Sequence, residues 1–141
     1  MPETKVIAKV VSQWIKKAEN DLRIATLALK TERNCPTDAI SFHAQQCIEK
    51  YLKALLAFRR IDFPKTHNLS ELIALLPRQI LIELIPEEQE KLTDYATVAR
   101  YPGDYDEISL IEAKRAVEIA RRIRKEIRKL LPDEVLRGKR G

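Results

Sequence analysis

Between Pro36 and Arg59 the chain sets Ile40, Ala44, Cys47, Ile48, Tyr51, Leu55 and Phe58 at spacings of i, i+4, i+7, i+8, i+11, i+15 and i+18. At 3.6 residues per turn these side chains share one face of a helix, whereas a strand would scatter them over two. The run predicts a core-facing helix, and the other elements must pack against it. Trp14, Ala18, Leu22, Ala25 and Leu29 repeat the pattern and predict a helix over about Val11–Lys30, with Lys16, Lys17, Glu19 and Arg23 on the wet side. Ala116, Ile119, Ala120, Ile123, Ile127 and Leu130 predict a closing helix that runs to about Leu131, where Pro132 stops it. No segment alternates at period two for long enough to make a strand.

The starts of the remaining helices are written in capping chemistry. Asn68 with Glu71, and Ser109 with Glu112, have the spacing at which a side chain caps the first turn and a carboxylate reaches back. Ile108 precedes the second pair as a staple. Pro86 with Glu87 and Glu88 predicts another start, since proline suits the first position and acids favour the positive end of the helix dipole. That helix is expected to fade near Arg100. Ile80–Ile85 is ambiguous and reads as a short helical turn. Together these elements predict an all-α fold, an up-and-down antiparallel bundle of four to five helices. Residues 1–131 form the single domain, and 132–141 form a basic, flexible tail.

The basic character is local. Residues 109–141 hold 11 Lys/Arg against 5 Asp/Glu, while residues 1–108 hold 15 against 16. A basic segment suits phosphate-bearing partners or a solvated helix face. Cys35 and Cys47 are the only cysteines, too few for a disulfide framework and without histidines at metal spacing, so no metal is expected. There is no signal peptide and no run of about 20 apolar residues, so a cytoplasmic protein outside the membrane is expected.

Catalytic motifs are scarce. The sequence has no glycine-rich phosphate loop, zinc-protease helix or nucleophile elbow. Histidine chemistry must use His43 or His67. His43 shares a helix face with Gln46, Lys50 and Lys53, off the apolar stripe, which reads as solvent or an interface. Arg60 precedes His67 by seven positions, and such a pair could deprotonate a ribose 2′-OH and steady the adjoining phosphate. Arg100-Tyr101-Pro102-Gly103-Asp104-Tyr105 joins a cation, two phenols and a carboxylate, suited to gripping a phosphate or stacking on a base. It reads equally as a structural corner.

The run Ala39-Ile40-Ser41-Phe42-His43-Ala44-Gln45-Gln46-Cys47-Ile48-Glu49-Lys50-Tyr51-Leu52-Lys53-Ala54-Leu55-Leu56, then Lys65-Thr66-His67-Asn68-Leu69, then Arg100-Tyr101-Pro102, resembles the HEPN domain, named for higher eukaryotes and prokaryotes nucleotide-binding. The resemblance covers roughly residues 9–131. It implies a helical bundle that dimerises and that often pairs with a minimal nucleotidyltransferase, as in toxin–antitoxin modules. Many members of the family are metal-independent RNases with an Arg, four to six residues and a His, commonly followed by Tyr, near a late helix. The matching place here is Arg100–Tyr105, and no histidine follows His67. The resemblance therefore implies binding of a nucleotide or RNA phosphate at Lys50, Lys53, His67, Arg100, Tyr101 and Tyr105, with no catalytic residue and no cofactor. The alternatives are a metal-independent endoribonuclease toxin and a dimeric scaffold without ligand.

Overall fold

In a computed structural model, residues 2–31, 33–97 and 107–137 are described. They form α1 (Pro2–Leu29), α2 (Thr37–Phe58), α3 (Leu69–Ala74), α4 (Pro86–Ala96), α5 (Leu110–Arg128) and α6 (Asp133–Leu136). No strand occurs among the described residues. Among the described residues no helix is long and apolar enough to cross a membrane. The expected loop of Arg100, Tyr101 and Tyr105, and the end of the tail, lie outside the described residues.

Side-chain pairs along the helices fix the topology. Lys50 meets Asp21, Tyr51 meets Glu19 and Lys53 lies over Trp14, so α2 runs counter to α1. Arg121 meets Thr26 and Arg124 meets Glu19, so α5 also runs counter to α1, and the carbonyl of Val135 meets Ser12, which sets α6 beside the first half of α1. Arg115 with Glu88, and Tyr95 with Glu112, set α4 against α5 in the same way. The result is the expected up-and-down bundle, with α3 and α6 as short additions of six and four residues.

α2 is the central helix and touches α1, α3, α4 and α5. Fourteen of its 22 residues are buried, which is more than one apolar stripe can supply. The excess is polar: Ser41, Gln45, Gln46, Glu49 and Lys53. The row of His43, Gln46, Lys50 and Lys53 was expected to be solvent or an interface. Gln46 and Lys53 instead lie inside the fold, because α1 and the 61–68 segment cover that flank.

Two helix starts follow their cap chemistry, and in each the reciprocal half goes elsewhere. Asn68 Oδ1 accepts from Glu71 N at 3.1 Å, but Asn68 N donates to Thr66 Oγ1 at 3.0 Å, and Leu69 N donates to Thr93 Oγ1 at 3.1 Å. Ser109 Oγ accepts from Glu112 N at 3.1 Å, while the Glu112 carboxylate accepts from Tyr95 Oη at 3.1 Å. At α3 the Thr66 hydroxyl takes the Asn68 N–H in place of Glu71, and at α5 the Glu112 carboxylate serves Tyr95.

Several boundaries differ from expectation. α1 begins at Pro2, well before Val11, and its buried line is Val11, Ile15, Ala18 and Ala25, with Trp14, Leu22 and Leu29 beside it. Glu19 is not on a wet side, since it faces α5. Ile80–Ile85 forms no helix. It is irregular chain that buries Leu84 and leaves Leu81 84% exposed. After α5 the chain turns, so Leu131 is buried and Leu130 is exposed. Helical order extends past 131 to α6, where Val135 is buried.

α2 ends in a Schellman motif: Arg60 N donates to Ala57 O at 3.0 Å and Ile61 N to Leu56 O at 2.9 Å. Arg60 sits at φ 59, a left-handed position that favours glycine. Arg60→Gly is expected to raise stability by about 1 kcal/mol, read as a higher urea midpoint at unchanged slope.

The Glu19 carboxylate lies where α1, α2 and α5 meet. Arg124 Nε and Nη2 donate to it at 2.8–3.0 Å, and Tyr51 Oη donates at 2.8 Å. Burial raises its pKa, but the Arg124 and Tyr51 hydrogen bonds and the charges of Arg124 and Arg128 outweigh that, so the net shift is below the ordinary 4.5. A depressed folded pKa contributes stability that is complete above the unfolded value and lost as pH falls through the folded one. Glu126 runs the other way, raised by burial and by the charge of Glu83. Glu19→Gln should therefore flatten the fall of unfolding free energy below about pH 4.5, a change that urea melts at successive pH values would read.

Candidate functional site

A row along α2 builds the most connected polar site. Gln45, Glu49 and Lys53 lie four residues apart, hence one above another on the helix. The Glu49 side chain is 3% exposed. Its Oε2 accepts from Lys53 Nζ at 3.0 Å. Its Oε1 accepts from Gln45 Nε2 at 3.1 Å and from Gln46 Nε2 at 3.4 Å, and stands 2.8 Å from His67 Nδ1. Gln45 Nε2 also reaches the carbonyl of His67 at 3.2 Å, and Gln46 Nε2 donates to Gln45 Oε1 at 2.7 Å. The buried charge is thus fully partnered, as a carboxylate out of water must be.

His67 closes the cluster from outside. Thr66 and Asn68 pin its backbone at the start of α3, and half of its side chain (53%) is exposed. A carboxylate only accepts, so Nδ1 is the donor to Glu49, and in the neutral ring Nε2 carries the lone pair. Lys53 is buried on the inner side, with its ammonium 5.4 Å from the Trp14 ring centroid and 5.9 Å from that of Phe63. Those rings pack edge to face at 6.1 Å. The cation is held between a carboxylate and two aromatic faces.

A second carboxylate, Asp21 on α1, is also buried. It accepts from Lys50 Nζ at 2.5 Å and stands 2.8 Å from His43 Nδ1. Both histidines therefore meet a buried carboxylate through Nδ1. Of the expected ligand residues, Lys53 and His67 converge on Glu49, and Lys50 turns to Asp21. Arg100, Tyr101 and Tyr105 lie outside the described residues. Arg60 is exposed and makes the Schellman turn described above.

Glu49, Gln45 and Asp21 were missed as site residues. The Gln45–Glu49–Lys53 spacing was a signal for the first two. Asp21 had none, because its partners lie on another helix. Burial pushes the Cys47 thiol far up, which leaves it inert. Among the described residues no group of three or more His, Cys, Asp or Glu converges as a metal site would.

Removing Glu49 would strand the buried Lys53 charge, whereas His67 has water as a substitute. Glu49→Ala is expected to cost about 3–5 kcal/mol, and His67→Ala less than about 1 kcal/mol. Equilibrium urea unfolding of both variants measures the contrast.

The fold and the Glu49 cluster can be set beside known proteins. The HEPN domain family pattern matches residues 11–130. A protein of Methanocaldococcus jannaschii named "Putative toxin MJ1304" is 35% identical over 106 residues. That alignment takes in 69% of this chain and 66% of the relative, just under two thirds of its length. The crystal structure of TT1696 from Thermus thermophilus superposes with a TM-score of 0.70 at 24% identity, covering 87% of this chain and 99% of that one. At that identity the likeness speaks for the fold alone. With the six-helix arrangement, the α2 polar row and a family match across nearly the whole bundle, the chain belongs to the HEPN domain family.

Proposed function

We propose that this chain is a HEPN-type protein of the toxin–antitoxin kind that engages a nucleotide or an RNA phosphate. In this reading it acts in the cytoplasm as a homodimer and pairs with a minimal nucleotidyltransferase. The observation that carries it is His67, locked by a buried carboxylate at 2.8 Å and half exposed. An imidazole fixed in this way presents a donor to a phosphate when it holds two protons. Arg100, Tyr101 and Tyr105 supply the second grip. The toxin name of the relative supports the context. Leu81 and Ile85 leave apolar surface for a partner copy.

The same geometry favours a second reading. With one proton, Nε2 of a carboxylate-oriented imidazole can take the proton of a ribose 2′-OH, the first step of metal-independent RNA cleavage. Arg60 supplies no contact to that pair.

Calorimetric titration with ATP, GTP and a short oligoribonucleotide tests the first reading. His67→Ala and Arg100→Ala should each weaken binding about tenfold or more, and Arg60→Ala should leave it unchanged. Parent-like binding by both variants, or a light-scattering mass that stays near 16.3 kDa at micromolar concentration, would count against it. Cleavage of RNA in excess EDTA that disappears in His67→Ala would move the conclusion to the ribonuclease.

A further inference from the structure

The first half of α1, the end of α5 and α6 enclose a groove of about 1060 Å³ that shares no residue with the Glu49 cluster. Its wall is built: Ser12 Oγ donates to the carbonyl of Val135 at 2.9 Å, and Val135 is buried, so α6 is fastened to α1. The floor is apolar, formed by Ala8, Ile15, Val135 and Leu136, with Val6 60% exposed at its edge. The rim is basic. Lys5, Lys9 and Lys16 fall on one face of α1, at i, i+4 and i+11, and all are exposed. Arg128 and Arg137 stand on the other side. Two carboxylates line the groove, and one of them, Glu19, is already taken up by Arg124 and Tyr51.

An apolar floor between cationic rims is a composite surface. Groups that bind single-stranded nucleic acid combine cations with aromatic platforms on which bases stack, and no aromatic side chain lines this groove. Its volume is at the upper end for a small-molecule pocket, and an apolar floor flanked by charges matches the way a groove takes the apolar face of an amphipathic helix. We propose that the groove docks an amphipathic, acidic helical segment of a partner protein, whose apolar face lies on Val6, Ala8 and Leu136 and whose carboxylates meet Lys5, Lys9, Lys16 and Arg137. This rests on the reading above only in taking a second protein to exist, and it is independent of the nucleotide site.

The probe is a labelled amphipathic peptide of about 18 residues, with leucines along one helical face and glutamates flanking them, titrated against the full chain by fluorescence anisotropy. Lys9→Glu/Lys16→Glu should weaken it about tenfold or more, and added salt should weaken parent binding. Val6→Asp, at an exposed position, should also weaken it. Arg78→Glu/Lys114→Glu reverses two exposed charges away from the groove and should leave the affinity unchanged. His67→Ala should do the same, so loss of nucleotide binding and loss of peptide binding are read separately. The proposal is overturned if the peptide fails to bind the parent, or if both double variants lose affinity equally. It is overturned as well if a uridine oligomer binds this groove in place of the peptide, or if Lys9→Glu/Lys16→Glu turns a dimer of the chain into monomers.

Discussion

Glu49 carries a charge in the middle of the bundle, and the arrangement around it follows from keeping that charge partnered. Withdrawing a carboxylate from water costs several kcal/mol even after relaxation, and the cost is recovered only with a full set of donors. Gln45, Gln46 and Lys53 come from α2 itself, so the helix supplies most of the set before any tertiary contact forms. The remaining donor, His67, must arrive from the segment that leads into α3. The Asn68 cap and the Thr66 hydroxyl hold that segment in place. The buried charge thereby sets which way the histidine before α3 faces.

The seam between α1 and α2 uses the same logic twice more. Asp21 gathers His43 and Lys50, and Glu19 gathers Tyr51, Arg124 and, at 3.7 Å, Arg128. Packing of Val11, Ile15, Ala18 and Ala25 against α2 supplies the non-directional attraction. The carboxylates supply direction, since a shift of α1 by one turn would leave each of them without its partners. The cation of Lys53, enclosed by Trp14 and Phe63, reinforces the same register. A rigid seam is what allows a half-exposed imidazole such as His67 to be held at one angle, which a binding or proton-transfer role requires.

The Glu49 cluster and the groove share no lining residue and differ in chemical character. The Glu49 cluster offers one oriented, titratable ring at the start of α3. The groove of α1 and α6 offers breadth, with apolar floor and basic rim. HEPN membership gives the scaffold, while what the scaffold does depends on these particular surfaces.

The sequence by itself determined the helices and much of their inward faces. Ile40, Ala44, Cys47, Ile48, Tyr51 and Leu55 are all buried, as their spacing required, and Asn68 and Ser109 cap as their side chains allow. Those properties are local, because a helical period and a cap bond involve residues within a few positions of one another. Tertiary structure alone decided which polar residues go inside. Glu19 read as wet, and Gln46 and Lys53 as solvent or an interface, because burial of a polar group depends on whether a partner reaches it. The partners here lie far away in sequence: Asp21 is 22 positions from His43, and Glu19 is 105 from Arg124. For the same reason α6 was invisible as an element. Its single turn has little helical propensity of its own and exists through its contact with α1.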